Sequence, residues 1–162
     1  MAIIKETGAI VTGANSYQDV DDIKDYFDDL GYSYSAYTDS DIEAAALRTM
    51  RYIESKRFLG YRSTQAQPLS WPRSYVYDKS GYLLDDDYIP KDLNSAVCEG
   101  TFKELATTNA LQADSTGGGV KRKRVDVLET EWFEGADQST TFTVIEDLLS
   151  WLVVDGAKTI RT

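Results

Sequence analysis

Between Phe58 and Ile89 the chain runs for 32 residues without a sustained hydrophobic period, punctuated by Gly60, Pro68, Pro72 and Gly81 among aromatic side chains. No feature constrains the fold more. A stretch that long cannot be a regular helix or strand, and loops of such length in a compact domain are functional or disordered. Its aromatic content argues against disorder. Residues 58–89 are therefore expected to form a long structured loop on a scaffold built elsewhere, with a hairpin around Asp78-Lys79-Ser80-Gly81.

That scaffold reads as helical. Tyr17, Val20, Ile23, Phe27 and Leu30 recur at helical spacing, Ser16 and Asp19 resemble a capping box, and Gly31 closes the segment. Asp39 or Ser40 is placed to cap a second helix with a buried stripe of Ile42, Ala45, Ala46, Thr49, Met50 and Ile53, ending near Arg57. Pro90 suits the first turn of a third, followed by Leu93, Val97, Cys98, Thr101, Leu105 and Leu111. Phe142, Ile145, Leu148, Leu149 and Leu152 mark a C-terminal helix over 140–154. Residues 3–12 are apolar enough for a short strand or extended arm. The Gly-flanked segment 117–139 reads as a β arm of one or two strands, and the tail beyond it as loose. The expected fold is a single domain over 1–162, mainly α: a small bundle of about four helices with a long aromatic loop and a β-strand or hairpin arm.

The charge balance limits function. Lys and Arg total 17 against 27 Asp and Glu, a net charge of −10, so the surface as a whole repels phosphate and any contact with DNA has to be local or weak. The absence of histidine removes the commonest general base and metal ligand. No enzyme activity and no cofactor are expected. The single cysteine, Cys98, reads as a small core residue suited to a reducing compartment. No stretch approaches the length of a bilayer span, nothing at the start resembles a secretory signal, and no membrane partner is expected.

Several motifs resemble catalytic or ligand sites without their chemistry. Residues 9–16, AIVTGANS, resemble the opening turn of a short-chain dehydrogenase, and Tyr52 with Lys56 supplies a Tyr-x-x-x-Lys. Yet Tyr17 and Asp19 stand where the pyrophosphate cradle needs glycine, and the spacing is far too short. GGGVKRKR at 117–124 lacks phosphate-loop spacing. The aspartates from Asp19 to Asp29 lack the glycine and terminal Glu of a calcium loop, and read as a solvated helix face. Lys121, Arg122, Lys123 and Arg124 either contact about two to four backbone phosphates or staple to the acidic helix face of this chain or another copy. Eleven tyrosines and three tryptophans favour interfaces. Trp71, Pro72 and Arg73 form either a packed corner, with the arginine paired to a carboxylate, or an interface anchor together with Tyr75 and Tyr77. Trp132 and Phe133 in the arm are further candidates for partner contact.

Taken in order, GANSYQDVDDIKDYFDDLGY, the stretch from AALRTM through Gln67, Trp71-Pro72-Arg73, Asp78 and Gly81, then Pro90, GGGVKRKRVDVLETEWFEG and FTVIEDLLSWLV resemble a family of small tailed-phage proteins over nearly the whole chain. The family carries the label DnaT-like single-stranded-DNA-binding protein, and its members also look like head-tail connectors, or adaptors. The connector resemblance implies a homo-oligomeric, twelvefold ring in the virion neck, assembled in the host cytoplasm. It further implies a portal protein above, a tail, stopper or completion protein below, and DNA that passes through an acidic lumen without sequence-specific binding. The acidic composition favours this reading. The alternative is a single-stranded-DNA-binding accessory protein of phage replication, which demands a basic groove with stacking aromatics. A tail-completion protein shares the ring logic.

Overall fold

The computed structural model describes residues 2–112 and 142–154, together with the backbone pairing of Lys123–Val125 with Leu128–Thr130. Among these residues there are four α-helices: α1 (Val20–Leu30), α2 (Asp39–Glu54), α3 (Lys91–Ala106) and α4 (Thr143–Leu149). The fold is mainly α, as the periodicity implies. Two short antiparallel pairs join Tyr61–Arg62 (β1) to Arg73–Ser74 (β2), and Lys123–Val125 (β3) to Leu128–Thr130 (β4).

Each helix begins where local chemistry permits, in two cases a step away from the residue the sequence suggests. Asp19, not Ser16, caps α1: its carboxylate accepts the Asp22 N–H, and the Asp22 carboxylate accepts the Asp19 N–H. The Ser16 hydroxyl is already engaged with Gln18. Thr38 and Asp41 make the same reciprocal box at α2, which satisfies two of the orphan N–H groups of a helix start. Gly31, at φ 68°, ends α1 in the left-handed conformation that glycine adopts without steric cost. All six residues of the predicted α2 stripe are buried. In α1 only Ile23 and Phe27 are, and Leu30 lies half exposed at the helix end.

Helix α3 is central, packing against α1, α2 and α4, and therefore buries more than one stripe. Its Gly100 lies so close to α2 that a Cβ would stand 2.3 Å from the Thr49 methyl. Two glutamates on α3 are buried as well. Glu99 accepts the hydroxyls of Tyr26 and Tyr32, while Glu104 accepts Arg48 Nε at 2.7 Å and the N–H groups of Asn109 and Leu111. Buried carboxylates need such partners; Tyr26, Tyr32 and Arg48 come from distant parts of the chain, and Asn109 and Leu111 from the turn just after α3.

The strand or arm expected at residues 3–12 does not form. The buried Glu6 carboxylate accepts the N–H groups of Gly8, Ile10 and Val11, leaving only an isolated bridge between Lys5 and Ser16. A local side-chain acceptor has displaced the ladder. At the other end, α4 buries Ile145 and Leu149, and the chain just after it lies along residues 57–59. The Leu59 N–H donates to the Leu152 carbonyl at 2.8 Å, and the Val154 N–H to the Arg57 carbonyl at 2.7 Å. This contact sets one wall of the surface described next.

Candidate functional site

The Trp71-Pro72-Arg73 corner faces inward. Trp71 is 0% exposed and stands edge-on to Phe58 at 6.1 Å between ring centroids, and Pro72 is buried beside it. Neither can touch a partner, so the interface-anchor reading of these two residues is corrected. The peptide between them is cis. The Trp71 N–H donates to the Tyr17 hydroxyl at 3.0 Å, and that hydroxyl in turn donates to Glu54. Burial first, then the neighbouring Glu54 carboxylate, raises the Tyr17 phenol well above its ordinary pKa. Gln67 braces the same corner, donating to the Leu69 and Pro72 carbonyls.

Among the described residues no carboxylate pairs with Arg73, contrary to the packed-corner expectation. Its guanidinium donates to the carbonyls of Leu59 (2.5 Å), Gly60 (2.7 Å) and Ser70 (3.1 Å), tying the loop to itself. Carbonyl oxygens satisfy the donors but do not neutralise the charge. Burial first, and then the nearby Arg62, lower the Arg73 pKa, and Tyr17 and Glu54 offset this only in part.

Beyond the buried corner the chain turns its aromatics outward. Tyr75 is 70% exposed, and Tyr77 and Tyr82 are also exposed. Tyr61, at 72%, meets Tyr75 edge to face, with centroids 6.3 Å apart and ring planes at 84°. These two rings border an open groove of about 580 Å³ lined by Lys56, Arg57, Phe58, Leu59, Gly60, Tyr61, Ser70, Arg73, Tyr75 and Val154. Three of these side chains are cationic. Among the described residues, no carboxylate lines the groove. Arg62 lies directly opposite Arg73 in the β1–β2 pair. Lys56 is partly neutralised, at 2.7 Å from Glu146 on α4. No carboxylate among the described residues comes within ion-pair distance of Arg57 or Arg62, and both are exposed.

The sequence reading missed Arg57, Arg62 and Tyr61. The signal is scattered: the cations that line the groove come from the turn after α2 and from β2, with Arg62 of β1 beside Arg73 and outside the lining. Among the arm candidates, Lys123 and Arg124 lie on β3, opposite Thr130 and Glu129, whereas Lys121, Arg122, Trp132 and Phe133 lie outside the described residues. Tyr52 and Lys56 do meet, at 2.9 Å, but both also engage Glu146, forming a clasp between α2 and α4. Burial pushes the Cys98 thiol up to about 12, where it is inert as a nucleophile. Among the described residues, no cluster of acidic side chains or cysteine could hold a metal ion, and no helix is long and apolar enough to cross a membrane.

Fold and site together define a small, mainly α domain of net charge −10 that carries, among the described residues, a basic, aromatic-walled groove. The chain belongs to the family described as "Putative DnaT-like ssDNA binding protein", whose model matches residues 1–162. Searches of curated proteins and of solved structures returned no match. The family match corrects the head-tail connector reading, with its portal and stopper partners, its twelvefold ring and its unbound DNA, because the family spanning the whole chain is described by binding single-stranded DNA. The acidic composition misled because a net charge averages over the surface, whereas a strand meets one face.

Proposed function

We propose that this protein binds single-stranded DNA in the groove lined by Lys56, Arg57 and Arg73 and the paired rings of Tyr61 and Tyr75, with Arg62 beside it. One observation carries the reading: within a chain of net charge −10, the groove gathers Lys56, Arg57 and Arg73 between two exposed tyrosines, with no carboxylate lining it among the described residues. A single strand needs a positive track for its phosphates and flat apolar faces for its bases. Arg57 and Arg62 supply exposed cations, Arg73 supplies positive potential fixed by its carbonyl cage, and the tyrosines supply the faces.

The acidic remainder has a role in this account. Its carboxylates repel phosphate around the groove, so this reading places the strand on the face, among the described residues, where cations gather without a lining carboxylate, and binding weakens steeply with salt. An anisotropy titration of a labelled oligothymidylate, with and without excess duplex competitor, tests the reading. Saturable binding that duplex fails to displace is expected. Equal affinity for duplex, or no binding at low salt, would overturn it.

A further inference from the structure

Three non-glycine residues among those described hold a left-handed backbone: Ile10, Asn109 and Tyr75. Such a conformation places Cβ against the following carbonyl and persists only where something holds it. For two of them the fold supplies the reason. The Ile10 N–H is held by the Glu6 carboxylate and the Asn109 N–H by that of Glu104, and Asn tolerates this region in any case.

Tyr75, at φ 60°, has no such account. Its side chain is 70% exposed, its phenol makes no hydrogen bond among the described residues, and its sole aromatic neighbour there is the equally exposed Tyr61. Opposite it sits Gly60, where a Cβ would stand 2.3 Å from the Ser74 carbonyl oxygen and 2.7 Å from the Val76 side chain. The backbone of residues 74–76 therefore rests directly on Gly60. With Val76 buried on one side, the Tyr75 ring is projected to the other, over the groove.

Resting on the reading that the groove takes a single strand, we infer that Tyr75 is a ligand-contacting residue held in a strained conformation as a stacking platform for an unpaired base, with Gly60 as its positioning residue. The ligand class is thus a strand with accessible base faces, not a polyanion in general. A duplex hides those faces and an abasic strand lacks them.

The test compares oligothymidylate with an abasic oligonucleotide of equal length and charge, using the wild-type chain, Tyr75→Gly and Tyr75→Phe, with Tm measured for each. The wild-type chain is expected to prefer the base-bearing strand about tenfold, the contribution of one stacked base. Tyr75→Gly should abolish that preference without lowering Tm, because glycine adopts the left-handed region freely. Tyr75→Phe, which keeps the ring, should retain it. A wild-type chain that binds both strands equally, or a Tyr75→Gly variant that keeps the preference or loses several degrees of Tm, would overturn the platform and leave the groove reading standing. A wild-type chain that binds neither strand would overturn both.

Discussion

Arg62 and Arg73 stand directly opposite each other in the antiparallel β1–β2 pair. Like charges at facing positions destabilise a sheet, and here only Arg73 is caged by carbonyls. Arg62 is left exposed, so its charge is available to a ligand. Replacing it with serine should leave stability unchanged or raise it by up to about 0.5 kcal/mol. The same change should weaken strand binding and make the slope of log K against log salt shallower by about 0.7, the value for one phosphate contact on a single strand. Denaturant melts and a salt series of titrations check the two halves separately.

The Lys56–Glu146 clasp makes an opposite prediction. Glu146 draws on a cation that lines the groove, so Glu146→Gln should release that charge and tighten strand binding about two- to threefold, while costing about 0.5–1 kcal/mol of stability, as for other partly exposed pairs. Tighter binding by a less stable variant would separate the electrostatic effect from any general loosening of the fold.

Acid should release α4. Hydrogen bonding to Lys79 is the main influence on Asp92; with the indole N–H of Trp151, it holds the carboxyl below its usual range against the effect of burial. At Glu146 burial acts upward, but the bonds from Lys56 and Tyr52 outweigh it and the net shift is downward. Both folded values lie below the unfolded ones. Their stabilisation is therefore complete above about pH 5 and lost as pH falls through the depressed values. The Trp151 indole N–H resonance should shift in that acidic window, and Asp92→Asn should remove most of the change.

Packing of the scaffold sets the largest stability effects. Trp71→Ala should cost about 3–5 kcal/mol, the range for emptying an aromatic core site, through loss of the ring against Phe58. Gly100→Ala should cost about 1–3 kcal/mol, because the added Cβ would stand 2.3 Å from the methyl of the buried Thr49, whose hydroxyl is bonded to the Ala45 carbonyl. Chemical denaturation measures both, and in neither case should the groove chemistry itself be altered.

The features legible in the sequence are the local ones. The α2 stripe from Ile42 to Ile53 and the stop at Gly31 depend on neighbours a few residues apart, and periodicity reveals them. Glu6, Glu99 and Glu104 look like surface residues because the N–H groups, hydroxyls and guanidinium that satisfy them lie across turns or on other helices. The same holds for the groove. Tyr75 and Tyr77 are visible as exposed-type aromatics, but Arg57, Arg62 and Arg73 come together only when the Arg73 cage ties the loop to itself and Ser70 donates to Glu54 at the end of α2. Trp71-Pro72-Arg73 marks the family in the sequence, yet which way the tryptophan points depends on Tyr17 and Phe58, themselves remote in the chain.

The most direct test of the account is where a bound strand lies. Photocrosslinking an iodouracil-substituted single strand to the full chain, followed by peptide mapping, should give adducts on the segments carrying Tyr61 and Tyr75, reduced when Arg57 and Arg62 are both changed to serine. Adducts confined to peptides outside residues 56–77, or undiminished in that double variant, would contradict the account.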